Sequence, residues 1–274
     1  SASALVLSFV LLVLGFVFDA LSWQTVLHRS GHRVGVRESI AAVGLSAFAK
    51  YIPGKIWAVM GRAAYLTERC GYSLTQLTSV SMIWQFIMLW IELVFGALGL
   101  LLLGQILRWG FPILLMWLVL TTVIFSDAAQ SVFRRAYKMI LKKDISIPRL
   151  TIGSTFVSMP WCVVTWIAYS AGFYYLVRAL YPGAVPFAAG LGFPLSIILG
   201  ILAIVVPGGI GVREGAIVVY LSFCGVPVKE ATTISIAARL WFLMGEAAIF
   251  AIGFVMDLWL KQSGGTGTHK PSAK

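Results

Sequence analysis

The chain has 274 residues, 59% of them hydrophobic and 11% charged, with a mean hydropathy of +0.92 and a net charge of +11. Soluble domains carry about a quarter charged residues, so a soluble globular domain is excluded. The continuously apolar runs also exclude a β-barrel, whose strands alternate in polarity over segments of roughly 10 residues. The fold class read from composition is all-α: a polytopic helical membrane protein.

Five stretches are long and apolar enough to be read as membrane spans: residues 3–27, 74–104, 110–126, 151–180 and 228–258. The first is longer than the apolar region of a signal peptide and lacks a cleavage site. The sequence starts without Met, which leaves room for a further native segment ahead of it. Between the first two spans, residues 39–66 read "SIAAVGLSAFAKYIPGKIWAVMGRAAYL". Each side of Pro53-Gly54 is too short to cross a bilayer alone. Proline removes a backbone donor and glycine loosens the chain, so the helix is expected to break there. Two half-length helices joined by a break describe a re-entrant hairpin, tolerated only when buried in protein or lining a wet cavity. A second hairpin is expected over 194–223, broken at Pro207-Gly208-Gly209. The end of the chain, 261–274, is polar and glycine-rich and is expected to be disordered.

The two broken regions are related. A separation of 154 residues takes Pro53 to Pro207, Gly54 to Gly208, Ile56 to Ile210, Cys70 to Cys224 and Gly71 to Gly225. Without a gap it also takes Ser81 to Ser235, Glu92 to Glu246 and Gly99 to Gly253. Apolar coincidences are cheap in this composition; matched Pro, Gly, Cys and intramembrane Glu are not, so the pattern reads as an internal repeat. One domain, 1–260, is expected. It comprises repeat one (about 3–104), a linking helix (110–126), a cytoplasmic loop (127–150) and repeat two (about 151–258). The linking helix makes the number of crossings per repeat odd, so the second repeat is expected upside down relative to the first, a recurring transporter plan.

Loop charge agrees with this topology. Residues 28–38 carry three Arg, and 127–150 carry Arg134, Arg135, Lys138, Lys142, Lys143 and Arg149. Loops 105–109 and 181–186 share one Arg. The positive-inside bias puts the first two in the cytoplasm. Cysteine labels at Ser39 and Val185 are then expected to react from opposite sides. The bias also accounts for the net charge, so no nucleic-acid partner is implied.

At each break a half-helix starts inside the membrane and points unpaired N–H groups and a partial positive charge at the tip. Gly208, Gly209 and Gly211 allow close backbone approach to an anion, and Lys50, Lys55, Arg62 and Arg213 add charge. A single Pro-Gly is accounted for by a packing kink; two symmetric breaks flanked by basic residues favour binding. Ionisable groups at membrane depth usually face a cavity or a partner. Glu92 and Glu246 lie mid-helix at matching positions, with Gln85 and Arg239 each seven residues ahead, about two turns along the same face. A buried network that fixes helix packing and a coupling role in transport fit these residues equally well; Asp19 is a weaker candidate. Cys70, Cys162 and Cys224 have no metal spacing and read as unpaired packing residues. His28 and His32 are four apart, but no further ligand completes a metal site. No hydrolase, zincin, P-loop or dinucleotide motif occurs.

The string "PGGIGVRE" with a downstream Arg, together with "KYIPGKIW" and a following "GR", resembles the lysylphosphatidylglycerol synthase transmembrane region. This is the flippase-like domain of the bacterial multiple peptide resistance factor and of many small membrane proteins. The similarity covers most of residues 10–258. Pro207, Gly208, Gly209, Gly211, Arg213, Glu214 and Arg239 match the motif, as do Pro53, Gly54 and Arg62. The resemblance implies an integral membrane protein that moves lipids between leaflets or assists export of lipid-linked sugars. Many members carry Glu-Arg where this chain has Trp84-Gln85, and members commonly have another helix ahead of the first one here. No soluble aminoacyl-transfer domain follows residue 258, so a transporter without a catalytic residue is expected, not an enzyme.

The leading expectation is a lipid translocase of the cytoplasmic membrane, acting on an anionic phospholipid, an aminoacyl-phospholipid or a polyprenyl-phosphate-linked sugar. Its substrate-binding set is Lys50, Pro53, Gly54, Lys55, Arg62, Pro207, Gly208, Gly209, Gly211, Arg213, Glu214 and Arg239, with Gln85, Glu92 and Glu246 as a coupling or structural network. The alternatives are an accessory subunit of lipid-linked glycan or cell-envelope assembly, and a small-solute secondary transporter. The expected partner is a membrane lipid with an anionic headgroup. A homodimer is compatible with all three readings, and no cofactor or metal is expected.

Overall fold

The computed structural model describes residues 1–52, 57–126, 131, 152–203 and 209–263; at 50, 123–125 and 152–158 it describes the backbone alone. Pro53, Gly54, Lys55, Pro207, Gly208 and the side chain of Lys50 therefore lie outside the described residues, as do nearly all of loop 127–150 and residues 264–274.

Among the described residues nine α-helices follow in order and no strand occurs. They are α1 (Ala2–Arg29), α2 (Val36–Leu45), α3 (Trp57–Cys70), α4 (Leu74–Leu102), α5 (Ile106–Phe125), α6 (Ile152–Leu180), α7 (Gly192–Leu202), α8 (Val212–Phe223) and α9 (Val228–Ser263). Short 3-10 turns at Ala47–Tyr51 and Phe187–Leu191 follow α2 and precede α7. Among the described residues α1, α4, Met159–Leu180 of α6, and α9 are long and apolar enough to cross a membrane. The chain is thus a membrane protein with several apolar helices. The fifth expected span, 110–126, falls in α5, where Ile106–Thr122 is a shorter apolar helix. Helix α9 runs to Ser263, past the expected 258, so the first residues of the expected tail are helical.

Helices α2, α3, α7 and α8 have 10, 14, 11 and 12 residues. At 1.5 Å per residue none spans a hydrocarbon core of about 30 Å. The first hairpin loses α-geometry earlier than the Pro-Gly pair suggested. Helix α2 ends at Leu45, where the Ser46 hydroxyl donates to the Ala42 carbonyl at 2.7 Å, a local bond that competes with helix continuation. After each second half-helix the chain reverses through a glycine at positive φ, Gly71 (74°) and Gly225 (82°), which spares the Cβ penalty of a left-handed turn.

Shifting α1, α2, α3 and α4 by 154 residues lands them on α6, α7, α8 and α9, and the packing respects that correspondence. Helix α2 packs on α9 as α7 packs on α4, α3 on α4 as α8 on α9, and α1 on α9 as α6 on α4. The counterparts α1 and α6 form the most extensive helix pair and run antiparallel. The Ser8 hydroxyl donates to the Gly172 carbonyl at 2.7 Å, and further along Phe16 meets Tyr169 edge-on at 5.5 Å and Phe18 meets Trp161 at 5.9 Å. Glycines bring the half-helices close. A Cβ on Gly253 of α9 would lie 3.0 Å from the Cα of Gly44 in α2, and one on its counterpart Gly99 would lie 2.8 Å from Leu191 at the start of α7. Such small-residue contacts let helices associate in lipid by packing alone.

Ser39 is fully buried and Val185 is 9% exposed. Neither is open to a labelling reagent, because both lie where a hairpin is tucked against the helix core. Arg33 and Ala184, exposed in the neighbouring loops, serve that purpose instead.

Candidate functional site

The described residues on either side of Pro207-Gly208 come into close backbone contact. Helix α7 ends with Leu202. Gly209 (φ 65°) then lies against Gly200, so closely that a Cβ on Gly209 would sit 2.7 Å from the Gly200 Cα. Gly211 (φ 83°) caps α8. Sequence reasoning left the first-turn amides of α8 open to an anion. The structure fills one of them internally: the Gly211 N–H donates to Glu214 Oε2 at 2.6 Å, a carboxylate favoured by the positive end of the helix. The other oxygen of Glu214 accepts from Arg239 Nη1 at 2.5 Å, which ties α8 to α9. Glu214 is therefore an internal cap and ion-pair partner, and the cation left facing the interior from α8 is Arg213.

Arg213 is half-buried. Its guanidinium carbon lies 5.1 Å from the ring centroid of Phe242 and 5.8 Å from that of Phe193, within cation–π range. The stem of the side chain runs over Gly200, where a Cβ would collide with it. Glu246, Tyr51, Glu214 and Arg239 all lie within its electrostatic reach. Glu246 is fully buried and accepts the Tyr51 hydroxyl at 2.7 Å. That bond brings the end of the first hairpin's 3-10 turn to α9, the helix on which α8 packs. Arg239 and Glu246, expected on one face of a helix, are not bonded to each other; each pairs with a different hairpin. Glu92, the counterpart of Glu246, is 1% exposed, with Arg213 again the cation in reach. Gln85 is half-buried and takes no part in this network.

Arg62 occupies a second pocket. It is 8% exposed, with its guanidinium carbon 4.6 Å from Trp84 and 5.5 Å from Trp23. The indole N–H of Trp84 donates to Ser22 at 2.7 Å and that of Trp23 to Ser81 at 3.0 Å, which fixes both rings. Nε of Arg62 reaches the Ala58 carbonyl at 3.4 Å, Nη1 has no hydrogen-bond partner, and Asp19 supplies compensating charge. Sequence reasoning singled out Arg62 but missed its two tryptophans, treating Trp84 only as a departure from the family pattern. Asp19 and Trp23 are four residues apart on one helix and share a face; that spacing was the available signal.

Two further features were missed. Asp257 of α9 gathers Tyr65 (2.7 Å), Lys261 (2.7 Å) and Arg69 (3.7 Å), fastening α3 to α9. Nε2 of His28 and the side chain of Gln24 lie 2.6 and 2.8 Å from the Val34 carbonyl and fold the first loop, so this histidine is engaged by backbone. Among the described residues no three His, Cys, Asp or Glu side chains converge to hold a metal ion.

The Glu214–Arg239 link gives a pH-dependent expectation. Burial pushes the Glu214 carboxyl up. The Arg239 guanidinium and the backbone N–H groups of Glu214 and Gly211 outweigh it and hold the group below the usual carboxylate range. A carboxyl lowered in this way contributes stability that is present above its unfolded value and lost as pH falls through its folded value. Glu214→Gln is expected to destabilise the protein at neutral pH by roughly 1.5–3 kcal/mol, the range for hydrogen bonds to charged groups. Thermal unfolding in detergent should show the gap from wild type closing as the buffer is acidified below the ordinary carboxylate range. A gap that stays constant with pH would contradict this account.

Comparison with curated proteins found no match. The family model described as "Lysylphosphatidylglycerol synthase TM region" matches residues 1–245, taking in both hairpins, the glycine-rich break, Arg62, Arg213 and Arg239. The chain belongs to the lysylphosphatidylglycerol synthase transmembrane region family.

Proposed function

We propose that the protein is a translocase that carries a lipid with an anionic phosphate headgroup between the leaflets of the cytoplasmic membrane. The headgroup is a phospholipid's, an aminoacyl-phospholipid's or that of a polyprenyl-phosphate-linked sugar. In this reading it passes between the tips of two opposed re-entrant hairpins while the tails stay in lipid, and no covalent bond is made or broken. The observation that carries the proposal is Arg213. It is a guanidinium at the start of a half-helix, over two aromatic rings and within electrostatic reach of Glu246, which accepts the hydroxyl of Tyr51 from the other hairpin. Arginine offers planar, paired donors to a phosphate. Membership of a family named for a membrane lipid synthase supports a lipid-related role. Native mass spectrometry of the purified protein tests it: an anionic lipid should co-purify and leave when Arg213 is replaced. Retention of neutral lipids alone would refute it.

The inverted arrangement is supported by the antiparallel packing of α1 on its repeat counterpart α6 and by the arginines of the first loop. In a background with Cys70, Cys162 and Cys224 replaced by alanine, Arg33→Cys is expected to label from the cytoplasm and Ala184→Cys from outside. Labelling of both from one side would remove the opposed hairpins from the proposal.

A further inference from the structure

Of the three arginines in the candidate site, Arg239 donates to Glu214 and Arg62 to the Ala58 carbonyl. Arg213 makes no hydrogen bond or ion pair among the described residues; what locates it there is a glycine and two rings. Gly200 makes room for its stem: a Cβ on that glycine would collide with Arg213 Cγ and lie 2.8 Å from Cδ. The guanidinium carbon then lies over Phe242 at 5.1 Å and Phe193 at 5.8 Å, two rings whose centroids are 5.5 Å apart.

The rings are themselves fixed. Phe193 of α7 and Phe242 of α9 are both buried. Phe242 packs on Phe16 of α1 at 5.2 Å and on Tyr169 of α6 at 6.2 Å. Phe193 packs on Phe173 of α6 at 5.5 Å and meets Trp241 of α9 edge-on at 5.4 Å. Four helices thus build one platform beneath the cation. The 154-residue correspondence does not account for it. Phe193, Gly200, Arg213 and Phe242 fall on Ser39, Ser46, Val59 and Met88 of the first half, so none of the four members has an equivalent there.

An aromatic face attracts a cation through its quadrupole but offers no oxygen lone pair to an N–H group. A carboxylate holds a guanidinium by taking its donors, as Glu214 takes one from Arg239; a ring leaves them for an oxyanion. We propose that Phe242 and Phe193 are positioning residues of the headgroup site: their faces fix the Arg213 guanidinium and leave its N–H groups for phosphate oxygens. The proposal rests on the reading of Arg213 as the headgroup contact. Binding then breaks no ion pair of Arg213. A long side chain ordered before the lipid arrives also has less freedom to lose, so affinity follows the strength of the ring–cation attraction.

Phe242 is the nearer ring and the one to alter. Fluorine withdraws electron density from a ring face and hardly changes the ring's shape. The purified full chain, with Phe242 replaced by phenylalanine carrying one, two or three ring fluorines, is titrated calorimetrically in detergent with dihexanoyl phosphatidylglycerol. Affinity is expected to fall stepwise with each fluorine, by about threefold to thirtyfold over the series. The same series at Phe173, which packs on Phe193 and lies under no guanidinium among the described residues, is expected to be flat. Phe242→Tyr is expected to keep wild-type affinity, and Phe242→Leu to lose as much as the most fluorinated form. An affinity that stays flat or rises across the Phe242 series, or falls equally across the Phe173 series, would overturn the positioning role while leaving the lipid site standing. Absence of wild-type binding, or binding unchanged in Arg213→Ala, would instead remove the lipid reading and the positioning role with it. Should Phe242→Leu fail to fold, the fluorinated series, which keeps the ring and its packing, decides the matter.

Discussion

Arg213→Lys is expected to lower occupancy by an anionic lipid at least about tenfold while the protein still folds. The wild-type guanidinium lies over the adjacent rings of Phe193 and Phe242, with its stem over Gly200, and in the proposed reading presents paired donors to a phosphate. A lysine ammonium keeps the charge but is a point donor on a flexible stem, without the planar face that stacks on a ring. Loss of one charge-assisted hydrogen bond, roughly 1.5–3 kcal/mol, corresponds to about a tenfold to hundredfold loss of binding. Native mass spectrometry gives the occupancy, and thermal unfolding in the same detergent controls for folding. Arg213→Ala should lose occupancy further. An alanine variant with wild-type occupancy would leave Arg213 as a packing residue.

Gly209→Ala is expected to have the largest structural effect of any single methyl addition in the second hairpin. The left-handed backbone alone costs about 1–2 kcal/mol for a residue with a Cβ. The added carbon would also lie 2.7 Å from the Cα and 2.9 Å from the carbonyl oxygen of Gly200. Those atoms belong to the backbone of α7, so relief requires the two halves of the hairpin to move apart, carrying Arg213 away from its rings. Gly211→Ala is the control: φ is also positive, at 83°, but nothing lies within 4 Å of the added carbon. Gly211→Ala should lose stability modestly and keep its lipid. Gly209→Ala should lose both melting temperature and occupancy. Equal behaviour of the two variants would show that the Gly200–Gly209 contact does not set the site.

The 154-residue correspondence between helices was legible in the sequence because it rests on residues with few substitutes. Proline, glycine, cysteine and buried glutamate recur at one spacing, and the helices obey the same shift. Individual partners were not legible. Arg239 and Glu246 were placed on one face by helical period, but the period says nothing about what lies across the gap. Glu214 and Tyr51, brought up by two different hairpins, take one each. The role of Glu214 was hidden for a related reason. It completes the cap of its own helix, so an amide that local reasoning left open for a ligand is already engaged. The Arg62 pocket joins α1, α3 and α4, and its contacts come from tertiary packing. Trp23 and Trp84 in isolation look like ordinary membrane-protein aromatics until the fold sets both beside one guanidinium.

The central claim, that an anionic headgroup crosses the membrane past Arg213, is tested most directly in liposomes. The purified protein is reconstituted with a phosphatidylglycerol carrying a fluorophore on one acyl chain, placed in the inner leaflet, and the headgroup's arrival outside is followed with a membrane-impermeant reagent specific for the headgroup diol. Wild-type vesicles are expected to expose the inner pool faster than protein-free vesicles, and vesicles with Arg213→Lys at a rate close to the protein-free value. Exposure no faster than in protein-free vesicles, or equally fast with Arg213→Lys, would contradict the account.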